Sequence, residues 1–120
     1  MIRVVVVDDH PAVRMSLADF FEAQDGMTVV GEGADGAEAL DLSRQLEPDV
    51  VVMDVRMPVL DGIAATREIK SERPETRVVL ITAYDERELV EAGVRAGADA
   101  FALKGTMGAT LADRVRTVLG

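Results

Sequence analysis

The stretch Ile2-Arg3-Val4-Val5-Val6-Val7-Asp8-Asp9-His10-Pro11 decides how the rest of the chain is read. A nearly unbroken β-branched run suits a strand buried on both faces, the habit of parallel sheets. Two carboxylates close the run. Pro11 then stands where a helix tolerates it best, in the first turn, and Val13, Leu17, Phe20 and Phe21 follow at helical spacing. The unit is strand, short acidic loop, helix.

The same rhythm repeats along the chain. After Arg3–Val7, strands are expected at Thr28–Val30, Val50–Met53, Val78–Ile81 and Ala100–Leu103. Asp35-Gly36-Ala37-Glu38 has the form of a capping box ahead of Ala39, Leu40 and Leu46. Asp61 is placed to cap a third helix carrying Ile63 and Ile69. Asp85 is placed to cap a fourth with Leu89, Val90 and Val94, closed by Gly97. Met107, Leu111, Val115 and Val118 share one face of a fifth. Five β-α units predict an α/β, doubly wound, five-stranded parallel sheet, because right-handed crossovers place helices on both faces.

Composition narrows the function. The 120 residues carry no linker, repeat or low-complexity tract, so residues 1–120 are expected to form one domain with no second. A net charge of -9, from 22 acids against 13 bases, argues against direct contact with nucleic acid. There is no cysteine and a single histidine, His10, which excludes disulfide scaffolds, thiolate zinc sites and histidine clusters. No apolar run is long enough to span a bilayer. Met1 leads straight into the first strand without a signal-peptide pattern, so a cytoplasmic location is expected.

In open α/β sheets the site lies beyond the carboxyl ends of the strands, where the strand order reverses. Asp8 and Asp9 end the first strand, Asp54 the third, Thr82 the fourth and Lys104 the fifth. If the order is 2-1-3-4-5, the flavodoxin-like arrangement, the reversal falls between strands 1 and 3 and gathers all three aspartates. Such a cluster calls for a cation, and an all-oxygen set with few protein donors suits Mg2+. Lys104 is one of two lysines among eleven arginines, a compact point charge suited to an arriving anion. These parts fit phosphoryl transfer to a carboxylate. One phosphoryl oxygen goes to Mg2+, a second to Lys104, and a third to the Thr82 hydroxyl with a backbone N–H. Asp54, central among them, is the candidate nucleophile.

Val7-Asp-Asp-His10, Asp54-Val-Arg-Met-Pro58, Asp61-Gly62, Thr82-Ala83 and Gly97-Ala-Asp-Ala-Phe-Ala-Leu-Lys104 together resemble the bacterial response-regulator receiver domain from end to end. The resemblance implies that Asp54 is the phospho-acceptor. Asp8 and Asp9 then organise the metal, with the backbone carbonyl of Arg56 as a further ligand. Thr82 and Lys104 read the phosphate, and Phe101 is the aromatic that turns inward when the threonine moves. The resemblance also implies a sensor histidine kinase as phospho-donor, homodimerisation on activation, and no turnover beyond the domain's own phosphorylation and dephosphorylation. Asp-Asp-His followed by Val13-Arg14 looks most like the subfamily with a helix-turn-helix DNA-binding effector, which would follow Gly120 and make transcription the output. Gly105 stands where many members have proline, so a cis peptide is not expected there. By the same resemblance, Arg56 and Tyr84 occupy variable positions that in the family flank the path of the hydrolytic water.

Plainer readings stand beside these. Asp8 and Asp9 would cap the first helix, Lys104 would be a solvated charge, and Phe101 would be ordinary core, although alternation along a short strand would put it at an edge or outward. His10 reads as a surface or capping residue. Gly31-Glu-Gly33-Ala-Asp-Gly36 has the outline of a dinucleotide fingerprint, but on what should be an edge strand. The rival functions are a small Mg2+-dependent phosphohydrolase and, behind it, a dinucleotide-binding module.

Overall fold

Residues 1–83, 86–104 and 109–120 are described here from a computed structural model. Five strands, β1 (Ile2–Val7), β2 (Met27–Gly33), β3 (Val50–Asp54), β4 (Arg77–Thr82) and β5 (Ala100–Leu103), alternate with five helices. The helices are α1 (Pro11–Glu22), α2 (Gly36–Leu46), α3 (Gly62–Glu72), α4 (Arg87–Ala96) and α5 (Ala109–Leu119). All strand pairs are parallel, in the expected order β2-β1-β3-β4-β5.

The valine runs explain the layers. Val4 to Val7 and Val50 to Val52 are 0% exposed, and alternate residues point to opposite faces. Val4, Val6, Val50, Val52, Val79 and Ile81 meet Leu17 and Phe21 of α1 and Leu111 and Val115 of α5. Val5, Val7, Val51, Met53, Val78 and Leu80 meet Ala39, Ala65 and Ile69 from α2 and α3. Each central strand is thus clamped between two apolar layers, which is what a near-continuous aliphatic run requires.

Two of the three expected acid caps, Asp35 and Asp61, stand where the sequence places them. The Asp35 carboxylate accepts from Glu38 N–H and that of Asp61 from Ala64 N–H, both at 2.8 Å. Gly97 closes α4 with φ +105°, a conformation that suits glycine. Asp85, together with Tyr84, Gly105 and Met107, lies outside the described residues; Glu86 is the N-cap of α4.

The second strand corrects the sequence reading. β2 runs through Gly33, so the first two glycines of the fingerprint are strand residues rather than a phosphate-binding turn. A Cβ at Gly31 would stand 2.9 Å from Leu46 Cδ1, and one at Gly33 3.3 Å from Leu42 Cδ1. Gly36 presses on the β3–α3 loop, where an added Cβ would lie 2.1 Å from the Leu60 carbonyl oxygen. The glycines serve close packing of α2 on the sheet edge.

Gly62 does the same for the site. Its N–H donates to the Val55 carbonyl at 2.8 Å, and a Cβ there would fall 2.2 Å from the backbone oxygen of Asp54. Backbone cannot yield as a side-chain tip can. Gly62→Ala is therefore expected to destabilise the fold by about 1–3 kcal/mol, the overpacking cost outweighing the gain in helix propensity. Urea denaturation checks this; an unchanged midpoint would show that α3 shifts freely.

Candidate phosphoryl-acceptor site

The strand ends bring Asp8, Asp54, Thr82 and Lys104 together. Asp8 is 0%, Asp54 5% and Thr82 3% exposed. Lys104 Nζ lies 3.0 Å from Asp54 Oδ2 and 3.1 Å from Asp8 Oδ2. A cavity of about 210 Å3 is lined by His10, Asp54, Arg56, Thr82, Ala83 and Lys104. Lys104 is thus not a solvated charge: it bridges two carboxylates that would otherwise repel.

Asp8 and Asp9 do not cap α1 either. The N-cap is His10, whose side chain makes no capping bond. Asp8 instead accepts the His10 backbone N–H at 2.9 Å, while Arg14 Nη1 donates to the Asp8 carbonyl oxygen at 2.9 Å. Arg14 so ties the first turn of α1 to the acid pair, a role the sequence did not reveal. The imidazole of His10 turns back over the acids, with Nδ1 3.3 Å from Asp8 Oδ1 and 3.2 Å from Asp9 Oδ1.

Burial foremost raises the Asp54 pKa, helped by the neighbouring Asp8 charge and opposed by the bonds from Lys104 and Arg56 N–H. For Lys104 burial acts the other way, but its hydrogen bonds to Asp54 and Asp8 outweigh it and the net shift is upward. The two directions are compatible: desolvation prevails for the deeper partner and pairing for the shallower one.

The donor set fits a hard divalent cation. Asp8, Asp9, His10 and Asp54 each present one ligand atom, all within 4.8 Å of one another. Asp9 Oδ1 is buried and receives no hydrogen bond, whereas Asp8 Oδ2 lies 3.1 Å from Lys104 Nζ. A buried oxygen that receives no hydrogen bond is costly without a cation. Because Lys104 reaches Asp8 and Asp54, Asp9 is the acid that gains least from it. Asp9→Asn is accordingly expected to raise metal-free stability by about 1 kcal/mol while weakening the Mg2+-induced stabilisation. Denaturation curves with equal Mg2+ response in both proteins would remove Asp9 from the site.

Around the cavity, Arg56 Nη2 pairs with both carboxylate oxygens of Glu86 at 3.2 Å, joining the β3–α3 loop to the start of α4. Phe101 is half-buried against the core on the edge strand β5, as its plainer reading has it. It pairs with Leu80 in register, on the same sheet face as Thr82. Its ring lies over α4, where a Cβ at Gly93 would meet Phe101 Cζ at 2.1 Å. Gly93 is the seat of that ring, and nothing in the sequence pattern announced it.

The fold and this acidic crevice define a class, and comparison with known proteins specifies it. The profile of the response regulator receiver domain matches residues 4–116, and the chain belongs to that family. It is 44% identical over 115 residues to the transcriptional regulatory protein YxjL of Bacillus subtilis, covering 96% of this chain and 53% of that protein. With LiaR of the same organism identity is 41% over 116 residues, covering 97% and 55%. The chain thus spans about half the length of these relatives. The receiver domain of the Mycobacterium tuberculosis regulator NarL superposes with TM-score 0.88 at 39% identity, covering 98% of this chain and 93% of that one. A LuxR-family response regulator from Aurantimonas gives TM-score 0.93 at 35% identity, covering 98% and 84%. The chain is a signalling receiver domain of the two-component type, and regulators of the LuxR family are among the proteins it is similar to. Neither rival function finds support in these comparisons. No described helix is long and apolar enough to cross a membrane.

Proposed function

We propose that this domain accepts a phosphoryl group on Asp54 from a sensor histidine kinase and converts it into a change of its α4-β5-α5 face. The observation that carries the reading is the bridge of Lys104 between Asp54 and Asp8 at the mouth of a cavity also lined by Thr82. An Asp54 carboxylate oxygen forms the new bond to phosphorus. The bond from phosphorus to the donor breaks, and its electron pair leaves with the donor. Lys104 shifts from carboxylate to a phosphoryl oxygen, and the Thr82 hydroxyl donates to another. Asp8, Asp9, Asp54 and the Arg56 backbone carbonyl would hold Mg2+, which supplies charge neutralisation when bound. With Mg2+ and acetyl phosphate, the protein should gain and retain one phosphoryl mass; steady release of phosphate from an external ester without labelling would favour the phosphohydrolase.

Thr82 and Phe101 form the switch in this reading. Drawing Thr82 toward the phosphoryl group opens space on the sheet face that Phe101 shares, and a ring without polar atoms follows without a hydrogen-bond cost. Thr82→Ala is expected to accept phosphate slowly and transmit it poorly. NMR shifts on α4, β5 and α5 after addition of Mg2+ and beryllofluoride check this; a full response in the variant would break the coupling. The output follows from the relatives, whose names are those of transcriptional regulators. A helix-turn-helix effector beyond Gly120 and homodimerisation on activation fit that reading in the cytoplasm. DNA contact falls to the effector, since this segment carries a net charge of -9.

A further inference from the structure

We propose that Arg14 is a positioning residue for phosphoryl acceptance, fixing the peptide between Asp8 and Asp9 so that both carboxylates face the crevice; the inference rests on the acceptor reading above. Successive residues of a strand point to opposite faces. Val6 and Val7 obey this, one in each apolar layer. Asp8 and Asp9 do not. Each places a carboxylate oxygen in a group, shared with Asp54, whose candidate ligand atoms all lie within 4.8 Å of one another. Neighbouring side chains converge in this way where the backbone between them turns out of the strand, and the turned peptide needs partners for its polar groups.

Arg14 supplies one. It stands one helical turn beyond His10, to whose carbonyl its N–H donates at 2.9 Å, and helix side chains lean toward the N-terminus. Nη1 thereby reaches back to the Asp8 carbonyl oxygen at 2.9 Å. The Asp8 N–H donates to the Gly33 carbonyl at 3.0 Å. Arg14 Nε lies 3.7 Å from an oxygen of Glu32, the residue before Gly33. The end of β2 thus holds Asp8 twice, once directly and once through the guanidinium. No described ion pair joins Arg14 to the carboxylate of Asp8 or Asp9, so it orients the acid pair and leaves their charge for a cation. A planar fork with donors on two edges suits that task, which a point charge such as an ammonium does not reproduce. By this route β2, whose end brings no side chain into the crevice, still shapes it.

Calorimetric titration with Mg2+ compares the wild type with Arg14→Met and Glu32→Ala, and labelling by acetyl phosphate is followed by intact mass over a range of Mg2+ concentrations. Arg14→Met is expected to bind Mg2+ about tenfold more weakly, the scale on which residues behind metal-holding carboxylates act. Asp54, Thr82 and Lys104 are untouched, so the labelling rate should return to the wild-type plateau once Mg2+ is saturating. Glu32→Ala alters a side chain 44% exposed and should weaken Mg2+ binding about two- to threefold, the scale of an exposed ion pair. Unchanged Mg2+ affinity in Arg14→Met, or a lower plateau at unchanged affinity, would overturn the assignment and reduce Arg14 to a contact that stabilises the fold. If Arg14→Met does not fold, unchanged affinity in Glu32→Ala overturns it equally. Wild-type protein that binds Mg2+ but takes no label would overturn the acceptor reading alone, with the Mg2+ comparison still deciding the role of Arg14. Wild-type protein that binds no Mg2+ would overturn both.

Discussion

Asp54→Asn is expected to abolish labelling by acetyl phosphate and to make the metal-free protein more stable at neutral pH. The first effect is complete, because the amide cannot form the acyl phosphate. The second follows from the raised pKa of Asp54, caused first by its burial. A carboxyl raised in the native state keeps its proton to a higher pH than in the unfolded chain. The native state then binds more protons between the ordinary value of 3.8 and the raised one, so stability falls as pH climbs through that window and is level above it. Asparagine removes the descent. The variant should therefore gain on the wild type as pH rises through the window and keep the gain beyond it. Urea midpoints measured from about pH 4 to about pH 7 supply the comparison. Parallel curves would show that Asp54 is not the source, and phosphoryl mass on the variant would move the acceptor elsewhere.

Lys104→Met should have the second largest effect, and in two directions. Removing the ammonium leaves Asp8, which is 0% exposed, and Asp54 facing each other without the cation between them. Breaking a fully buried pair costs about 3–5 kcal/mol; with Lys104 one-fifth exposed, water softens the loss and about 2 kcal/mol is expected. Added Mg2+ should then stabilise the variant more than the wild type, because the ion no longer competes with a lysine for the same oxygens. Labelling should slow about a hundredfold or more, the scale on which loss of one preorganised donor acts. Intact-mass kinetics and denaturation with and without Mg2+ test both arms. A variant labelled at the wild-type rate would reduce Lys104 to a structural bridge.

What the sequence made legible was what periodicity and strand ends encode. Val4–Val7 and Val50–Val52 are buried on both sides, so their burial is written in an unbroken apolar run. Asp8, Asp54, Thr82 and Lys104 were found because a parallel sheet puts every strand's last residues at one rim. β2 was underestimated because Gly31 and Gly33 carry no strand signal; what they supply is the absence of a side chain under Leu42 and Leu46. The turn of His10 over the acids, the reach of Arg14 to the Asp8 carbonyl and the seating of Phe101 on Gly93 were hidden for one reason. Each depends on the direction a side chain takes across elements, which spacing along one element does not encode.

The crossover order of the sheet has a consequence for how competence arises during biosynthesis. Neighbours in the sheet are joined through helices, and β1, in second place, sits between strands that follow it in the chain. Asp8, Asp54, Thr82 and Lys104 come from four different strands or the turns that leave them, and Lys104 follows the last. A nascent or truncated chain ending before β5 holds the acids without their lysine, so half a domain is not half a receptor. Contacts this distant in sequence form late and together. On the proposed reading, acceptance of phosphate would report completion of the whole sheet, and a signal could not be written on a chain that has yet to finish folding.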